Sequence, residues 1–167
     1  MKEKFINLYM DWAKRASELS HAQRLHVGAV IVKDDTVISY GYNGMPAGWD
    51  NDCEYKDYDL SQDFKGNYFP GSEKEYPFED DIGRYRLKTR LEVLHAESNA
   101  IAKLAKSTNS GLGADLFVTH SPCMECAKLI FQSGIRRVFY SEGYRDNSGI
   151  EFLEKSGVTV TKIPENT

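Results

Sequence analysis

The sequence predicts an α/β domain on a mixed five-stranded sheet, and three observations carry that reading. A hairpin pattern sits in the N-terminal third, strands and helices alternate through the C-terminal half, and an amphipathic helix precedes both. At 167 residues the chain is long enough to bury a substantial core within one domain, residues 1–167.

In chain order, Phe5, Tyr9, Trp12, Ala16 and Leu19 recur at intervals of 4, 3, 4 and 3, the spacing of a helix that lays one stripe on a core. Two β-like runs follow, Val27–Val32 and Thr36–Tyr40, and the acidic turn Lys33-Asp34-Asp35 between them predicts a hairpin. The stretch from Gly41 to Gly48 has glycines and a proline that forbid a long element, so it reads as a turn. Residues 49–90 are acidic, rich in Tyr, Phe and Gly, and lack a sustained period. They are expected to form an irregular insertion, functional or partly disordered. Regularity then resumes: helix His95–Lys106, strand Leu116–Thr119, helix Cys123–Gln132, strand Arg136–Tyr140, helix Ile150–Lys155 and strand Val158–Thr161. Such alternation predicts parallel strands joined by crossover helices, to which the hairpin adds antiparallel pairing.

Charge and cysteine content narrow the function classes. The net charge of −4 is uneven, because Asp50 to Asp81 holds eleven acids against three lysines. With a pI near 5.6 there is no basic stripe for a nucleic-acid polymer, although a small anion held by a few cations remains compatible. No apolar run approaches the roughly 20 residues of a membrane span. The first fifteen residues intersperse charges among apolar side chains, unlike a signal peptide. Three cysteines, two of them in Cys-x-x-Cys, therefore favour a reducing, cytoplasmic setting and metal binding over disulfides.

The chemistry concentrates in His95-Ala96-Glu97 and Pro122-Cys123-Met124-Glu125-Cys126, each at a predicted helix start. H-x-E followed by P-C-x-x-C is the signature of zinc deaminases. One imidazole and two thiolates suit zinc and disfavour magnesium or calcium. Three protein ligands leave a fourth tetrahedral position for water, as a catalytic zinc requires. Helix N-termini favour thiolates through their exposed N–H groups and dipole. Pro122 helps to start the second helix. Glu97, two residues from a ligand, is placed to take a proton from the zinc water and deliver protons to the ring nitrogen and leaving amine of a cytosine. A purely structural zinc would need a fourth Cys or His nearby; His120 is the nearest in sequence, and its strand-end position is expected to aim it elsewhere. Cys53, His21 and His26 match no spacing for a second metal.

With these residues the chain resembles the deoxycytidylate (dCMP) deaminases of the cytidine deaminase-like superfamily, from about Ser17 to Val160 with a poor match over 49–90. The likeness is carried by Arg24-Leu25-His26-Val27-Gly28-Ala29-Val30-Ile31-Val32, Gly41-Tyr42-Asn43-Gly44-Met45-Pro46 and His95-Ala96-Glu97-Ser98-Asn99-Ala100-Ile101. Ser121-Pro122-Cys123-Met124-Glu125-Cys126-Ala127-Lys128 and Gly143-Tyr144-Arg145-Asp146 complete it. The resemblance implies a three-layer α/β/α fold, a homohexamer, and hydrolysis of dCMP to dUMP and ammonia in support of dTTP synthesis. It also implies activation by dCTP and inhibition by dTTP, with Mg2+ accompanying the triphosphate. On the same resemblance Asn43 would hydrogen-bond the sugar or base, Tyr144 would contact substrate, the Ser121 carbonyl would orient the exocyclic amine, and Arg24 is the first candidate for the 5′-phosphate. Two other functions compete. A deaminase of cytosine or adenine in single-stranded DNA or tRNA would need a positive channel lined by stacking aromatics. A non-catalytic, zinc-stabilised nucleotide-binding protein would have no use for Glu97.

Overall fold

Asp34 and Asp35 both adopt positive φ, at 50° and 57°, and fold the N-terminal hairpin through a two-residue turn whose twist matches its strands. In the computed structural model, which describes residues 1–144 and 146–164, helix α1 (Glu3–Ser17) precedes strands β1 (Gly28–Lys33) and β2 (Thr36–Tyr42). These strands pair antiparallel with Lys33 opposite Thr36. Strand β2 continues through Gly41 and Tyr42, so the expected turn begins two residues late. Residues 49–90 contribute β3 (Glu54–Tyr58), the single turn α2 (Ser72–Glu75), β4 (Phe78–Glu79) and β5 (Arg84–Thr89). The C-terminal half then runs α3 (Ala96–Leu104), β6 (Asp115–His120), α4 (Met124–Gln132), β7 (Arg137–Glu142), α5 (Ser148–Lys155) and β8 (Thr159–Lys162).

The main sheet has the order β2-β1-β6-β7-β8. β1 is antiparallel to both neighbours, whereas β6, β7 and β8 are parallel, so the mixed five-stranded sheet is as the sequence predicts. Successive right-handed crossovers stepping in one direction put α4 and α5 on the same face. Alternation along the strands divides the core. Ala29, Ile31, Leu116, Val118 and Val138 pack against Ala96 and Ala100 of α3, Ile130 of α4 and Leu153 of α5. Val30, Val32, Phe117 and Phe139 point the other way, against Tyr9, Met10 and Ala13 of α1. Three layers result, and Phe117 stacks on Phe139 with centroids 4.7 Å apart. Among the described residues, no helix is long and apolar enough to cross a membrane.

Helix α1 is rotated from the face its sequence suggests. Trp12 and Leu19 are each 51% exposed, while Tyr9, Met10, Ala13 and Ala16 are buried. Gly28 supplies the reason: a Cβ there would overlap the carbonyl oxygen of Ala13, so helix and strand backbones meet directly. Only a small-residue ridge fits that approach, and it excludes the tryptophan.

The stretch expected to be irregular is instead a three-stranded antiparallel sheet of order β3-β5-β4. Tyr58 faces Tyr85, Asp57 faces Arg86 and Glu54 faces Thr89 across β3 and β5. Charge and aromatic contacts hold it more than a buried core does. Arg86 and Lys88 both pair with Asp57, at 2.7 and 2.9 Å, Arg86 also pairs with Glu75, and Lys56 pairs with Asp80. Phe78 stacks on Tyr85. The acid surplus of −8 over Asp50–Asp81 falls to −4 once Arg84, Arg86, Lys88 and Arg90 are included. Arg84, Arg86 and Lys88 of this set sit on β5, the strand that receives the acids.

Candidate active site

The topology gathers several chain segments at one edge of the main sheet. Because β1 is antiparallel to β2 and β6, the entry to β1 lies beside the exits of β2 and β6, and β7 leaves on the same side. Arg24 and Val27 before β1, Asn43 after β2, Ser121 and Cys123 after β6, and Tyr144 after β7 therefore share one cleft of about 520 Å3. Two backbone hydrogen bonds between Gly44 and Leu94 draw the start of α3 to the exit of β2, which brings in His95 and Glu97.

His95 and Cys123 are the N-cap residues of α3 and α4, and neither side chain makes a capping hydrogen bond. The two side chains turn toward each other instead. His95 Nδ1 lies 3.5 Å from Cys123 Sγ and 3.3 Å from Cys126 Sγ. All three donor atoms fall within 4.8 Å of one another, and no other such group of His, Cys, Asp or Glu occurs among the described residues. A tetrahedral zinc with bonds of about 2.3 Å to sulfur and about 2.0 Å to nitrogen sets S···N edges of roughly 3.5 Å, so the donor set fits that ion. Helix α4 starts one residue later than expected, with Cys123 as cap and Pro122 before it, outside the helix. Gly149 at the start of α5 packs so tightly that a Cβ would overlap the Pro122 carbonyl oxygen.

Electrostatics differ sharply among the neighbours. Hydrogen bonds from Cys126 and then His95 hold the Cys123 thiol down at about 3, well below an ordinary cysteine. The Cys123 hydrogen bond in turn raises the His95 imidazole. Glu97 is only 4% exposed. Burial pushes its carboxyl up to about 7.

The remaining expected residues line the same cleft with definite partners. Asn43 accepts the Val27 N–H at 2.8 Å and donates to the Leu25 carbonyl at 2.8 Å. It has no positive φ, so its side chain shapes the strand entry instead of permitting a left-handed turn. The Ser121 hydroxyl accepts the Tyr144 N–H at 2.8 Å, and the half-exposed Tyr144 ring borders the opening. Arg24 is exposed, makes no ion pair among the described residues, and donates from Nη1 to the Thr89 hydroxyl at 3.0 Å. Arg145 of the Gly-Tyr-Arg-Asp motif lies outside the described residues.

Two lining residues, Glu54 and Thr89, escape a sequence reading, and His120 stands where its strand-end position predicts. His120 borders the cleft, but Nδ1 faces the Thr119 hydroxyl at 3.0 Å and Nε2 faces Glu142 at 3.1 Å, so it stands apart from the donor group. Glu54 and Thr89 come from the insertion, whose sequence has no sustained hydrophobic period. Cys53 is buried beside Ala22 and Val93, and it joins no metal group.

Comparison with known proteins agrees with this geometry. The family model for the cytidine and deoxycytidylate deaminase zinc-binding region matches residues 2–142. The deoxycytidylate deaminase of enterobacteria phage T4 is 36% identical over 153 residues, covering 83% of this chain and 79% of the phage protein. That of Mycobacterium phage D29 is 37% identical over 134 residues, 79% of this chain and 90% of its own. The crystal structure of the dCMP deaminase from cyanophage S-TIM5, in complex with dCMP and dUMP, superposes with a TM-score of 0.76 at 36% identity. It covers 98% of this chain and 99% of the cyanophage chain.

Proposed function

Because the chain belongs to the cytidine and deoxycytidylate deaminase family, as a zinc-dependent hydrolytic deaminase, we propose that its substrate is dCMP, converted to dUMP and ammonia. The observation that carries this reading is a buried carboxyl, Glu97, beside three convergent metal donors in a cleft that also receives the Arg24 cation. The 36% identity to a protein solved with dCMP and dUMP supports the choice of nucleotide.

In this reading His95, Cys123 and Cys126 hold the zinc. When bound, the ion supplies a Lewis acid that lowers the pKa of a coordinated water to about 7. The protein groups handle protons and orientation. Glu97 takes one proton from the attacking water and passes it to N3 of the cytosine ring while the water oxygen bonds to C4. The second proton travels from the new C4 hydroxyl through Glu97 to the amine. The C4–N bond then breaks, ammonia leaves, and C4 becomes the uracil carbonyl. Ser121 orients the amine through its carbonyl, and Asn43 and Tyr144 border the sugar and base. Arg24 takes the 5′-phosphate, since its guanidinium pairs with no acid among the described residues and is suited to paired hydrogen bonds with phosphate oxygens.

On the family resemblance we extend the reading to one deaminase domain over 1–167 interrupted by 49–90, a cytoplasmic homohexamer, and dUMP supply for dTTP synthesis. Regulation by dCTP and dTTP with Mg2+ belongs to the same proposal. One assay separates these parts: ammonia release from dCMP, dCTP and deoxycytidine, each with and without magnesium and dCTP or dTTP. dCMP is expected to be turned over best, and equal turnover of deoxycytidine would overturn the nucleotide assignment. At subsaturating dCMP, dCTP should raise the rate and dTTP lower it; no response removes the regulatory part alone. Sedimentation equilibrium at six times the 19.0 kDa chain mass tests the hexamer.

A further inference from the structure

We propose that the cross-strand pair Glu54–Thr89 of the insertion is a clamp on Arg24, and that through it the insertion sets the preference for a nucleoside monophosphate over the nucleoside. The inference rests on the reading that Arg24 takes the 5′-phosphate. Its basis is a coincidence of register. Glu54 and Thr89 are direct partners in the β3–β5 ladder, and between them they grip both ends of one residue from a different part of the chain.

Glu54 grips the backbone. Its carboxylate is buried and accepts the Gln23 N–H on both oxygens and the Arg24 N–H on Oε1, each at 3.1 Å. Two successive backbone N–H groups form a concavity that suits an anion, and here the protein fills it with its own carboxylate. A substrate phosphate is thereby excluded from the backbone concavity and left to the Arg24 side chain. Thr89 grips that side chain, its hydroxyl accepting from Nη1 at 3.0 Å. Gln23 and Arg24 lie between α1 and β1 with no ladder of their own, so these contacts fix where the guanidinium sits. An arginine held in place before binding loses less rotamer freedom when the phosphate arrives.

Glu54 and Thr89 are thus positioning residues. They act through Arg24 and require no contact with the reacting atoms. A role of this kind falls on KM for the phosphorylated substrate, whereas damage to the fold falls on both substrates and on kcat.

The experiment compares kcat and KM for dCMP and deoxycytidine in the intact protein and in Thr89→Val, Thr89→Ser, Glu54→Gln, Arg24→Ala and the double variant Arg24→Ala/Thr89→Val. Thr89→Val keeps the side-chain shape and removes only the acceptor, so it is the variant least exposed to misfolding. The preference for dCMP, as the ratio of kcat/KM values, should fall about tenfold in Thr89→Val through KM, as expected for a misplaced charge-assisted bond. Thr89→Ser should restore it, Glu54→Gln should lower it, and Thr89→Val should add nothing to Arg24→Ala. An unchanged ratio in Thr89→Val, equal losses on both substrates, or additive losses in the double variant would each overturn the clamp. Should Arg24→Ala lower the preference while Thr89→Val does not, the phosphate role of Arg24 stands and the clamp alone falls. A full preference in Arg24→Ala removes the phosphate role and the clamp together.

Discussion

Within the cleft, the proposed mechanism gives Glu97 and the three candidate metal donors different tasks, which should separate on mutation. Glu97 is buried at the second position of α3, where its carboxyl can exchange protons but adds nothing to the tetrahedral donor set. Glu97→Gln keeps volume and hydrogen-bonding shape but cannot accept a proton. It should lower kcat for dCMP by about 10²- to 10⁴-fold while the zinc content, measured by atomic emission, stays at that of the parent. Loss of zinc in that variant would make Glu97 a structural support of the site. Cys126→Ser should show the converse, with activity and bound zinc lost together. These four residues were legible in the sequence because their spacing is local: each motif lies within one helical turn, and only its meeting with the other needs the fold. Asn43 was legible as a residue of the cleft, but the two backbone bonds that hold its side chain there were not. Its bonds to Leu25 and Val27 join chain positions 18 and 16 residues apart, which no short motif records.

The elements of the main sheet follow from pattern to within one or two residues, and the departures have physical causes. Helix α1 turned because Gly28 admits only the Ala13 ridge, a choice made by the partner surface and invisible in the helix's own periodicity. The insertion is hard to read as a sheet because its alternation is one of charge and aromatic character. Arg84-Tyr85-Arg86-Leu87-Lys88 alternates strictly at period two, but the alternating face is basic and its partners are the acids of β3 and its neighbours. A sheet held this way should depend on those acids staying ionised. Lys56 holds the Asp80 carboxyl down at about 2, and hydrogen bonds likewise hold Asp57, Asp59 and Asp63 below the usual range. With folded-state pKa values depressed, the unfolded chain binds more protons in acid, so the stabilisation is complete above the unfolded value of about 3.9 and lost as pH falls through the folded values, that of Asp80 last at about 2. Amide-exchange protection of Glu54–Tyr58 and Arg84–Thr89 should be flat from pH 7 to 5 and collapse between pH 4 and 2. Protection that persists to pH 2 would mean that the aromatic contacts alone hold the insertion.

At the scale of the whole molecule, the cleft sits where an antiparallel hairpin meets a parallel α/β half, and the metal donors come from two helices that no ladder joins. His95 caps α3 and Cys123 caps α4, and the two are 28 residues apart in the chain. Both helices pack the same sheet face, and α5 backs the start of α4 at Gly149, where a Cβ would overlap the Pro122 carbonyl oxygen. A bound metal would therefore cross-link the second helical layer at its functional edge, and its affinity would be part of the folding free energy. With zinc at about 1,000 times its dissociation constant, that contribution is about 4 kcal/mol, or roughly 10 °C in Tm for a chain of this size. Chelation should lower the melting temperature by that order and added zinc should restore it. Cys126→Ser should melt low and ignore zinc. Gly149→Ala tests whether α5 belongs to the same unit, because its methyl group must displace the Pro122 carbonyl and with it the Cys123 cap. It should weaken zinc in competition with a chromophoric chelator and shrink the zinc-dependent rise in Tm, although Gly149 supplies no ligand. If Gly149→Ala instead lowers Tm equally with and without zinc, α5 packs on the core independently of the metal edge, and the cross-link is confined to α3 and α4.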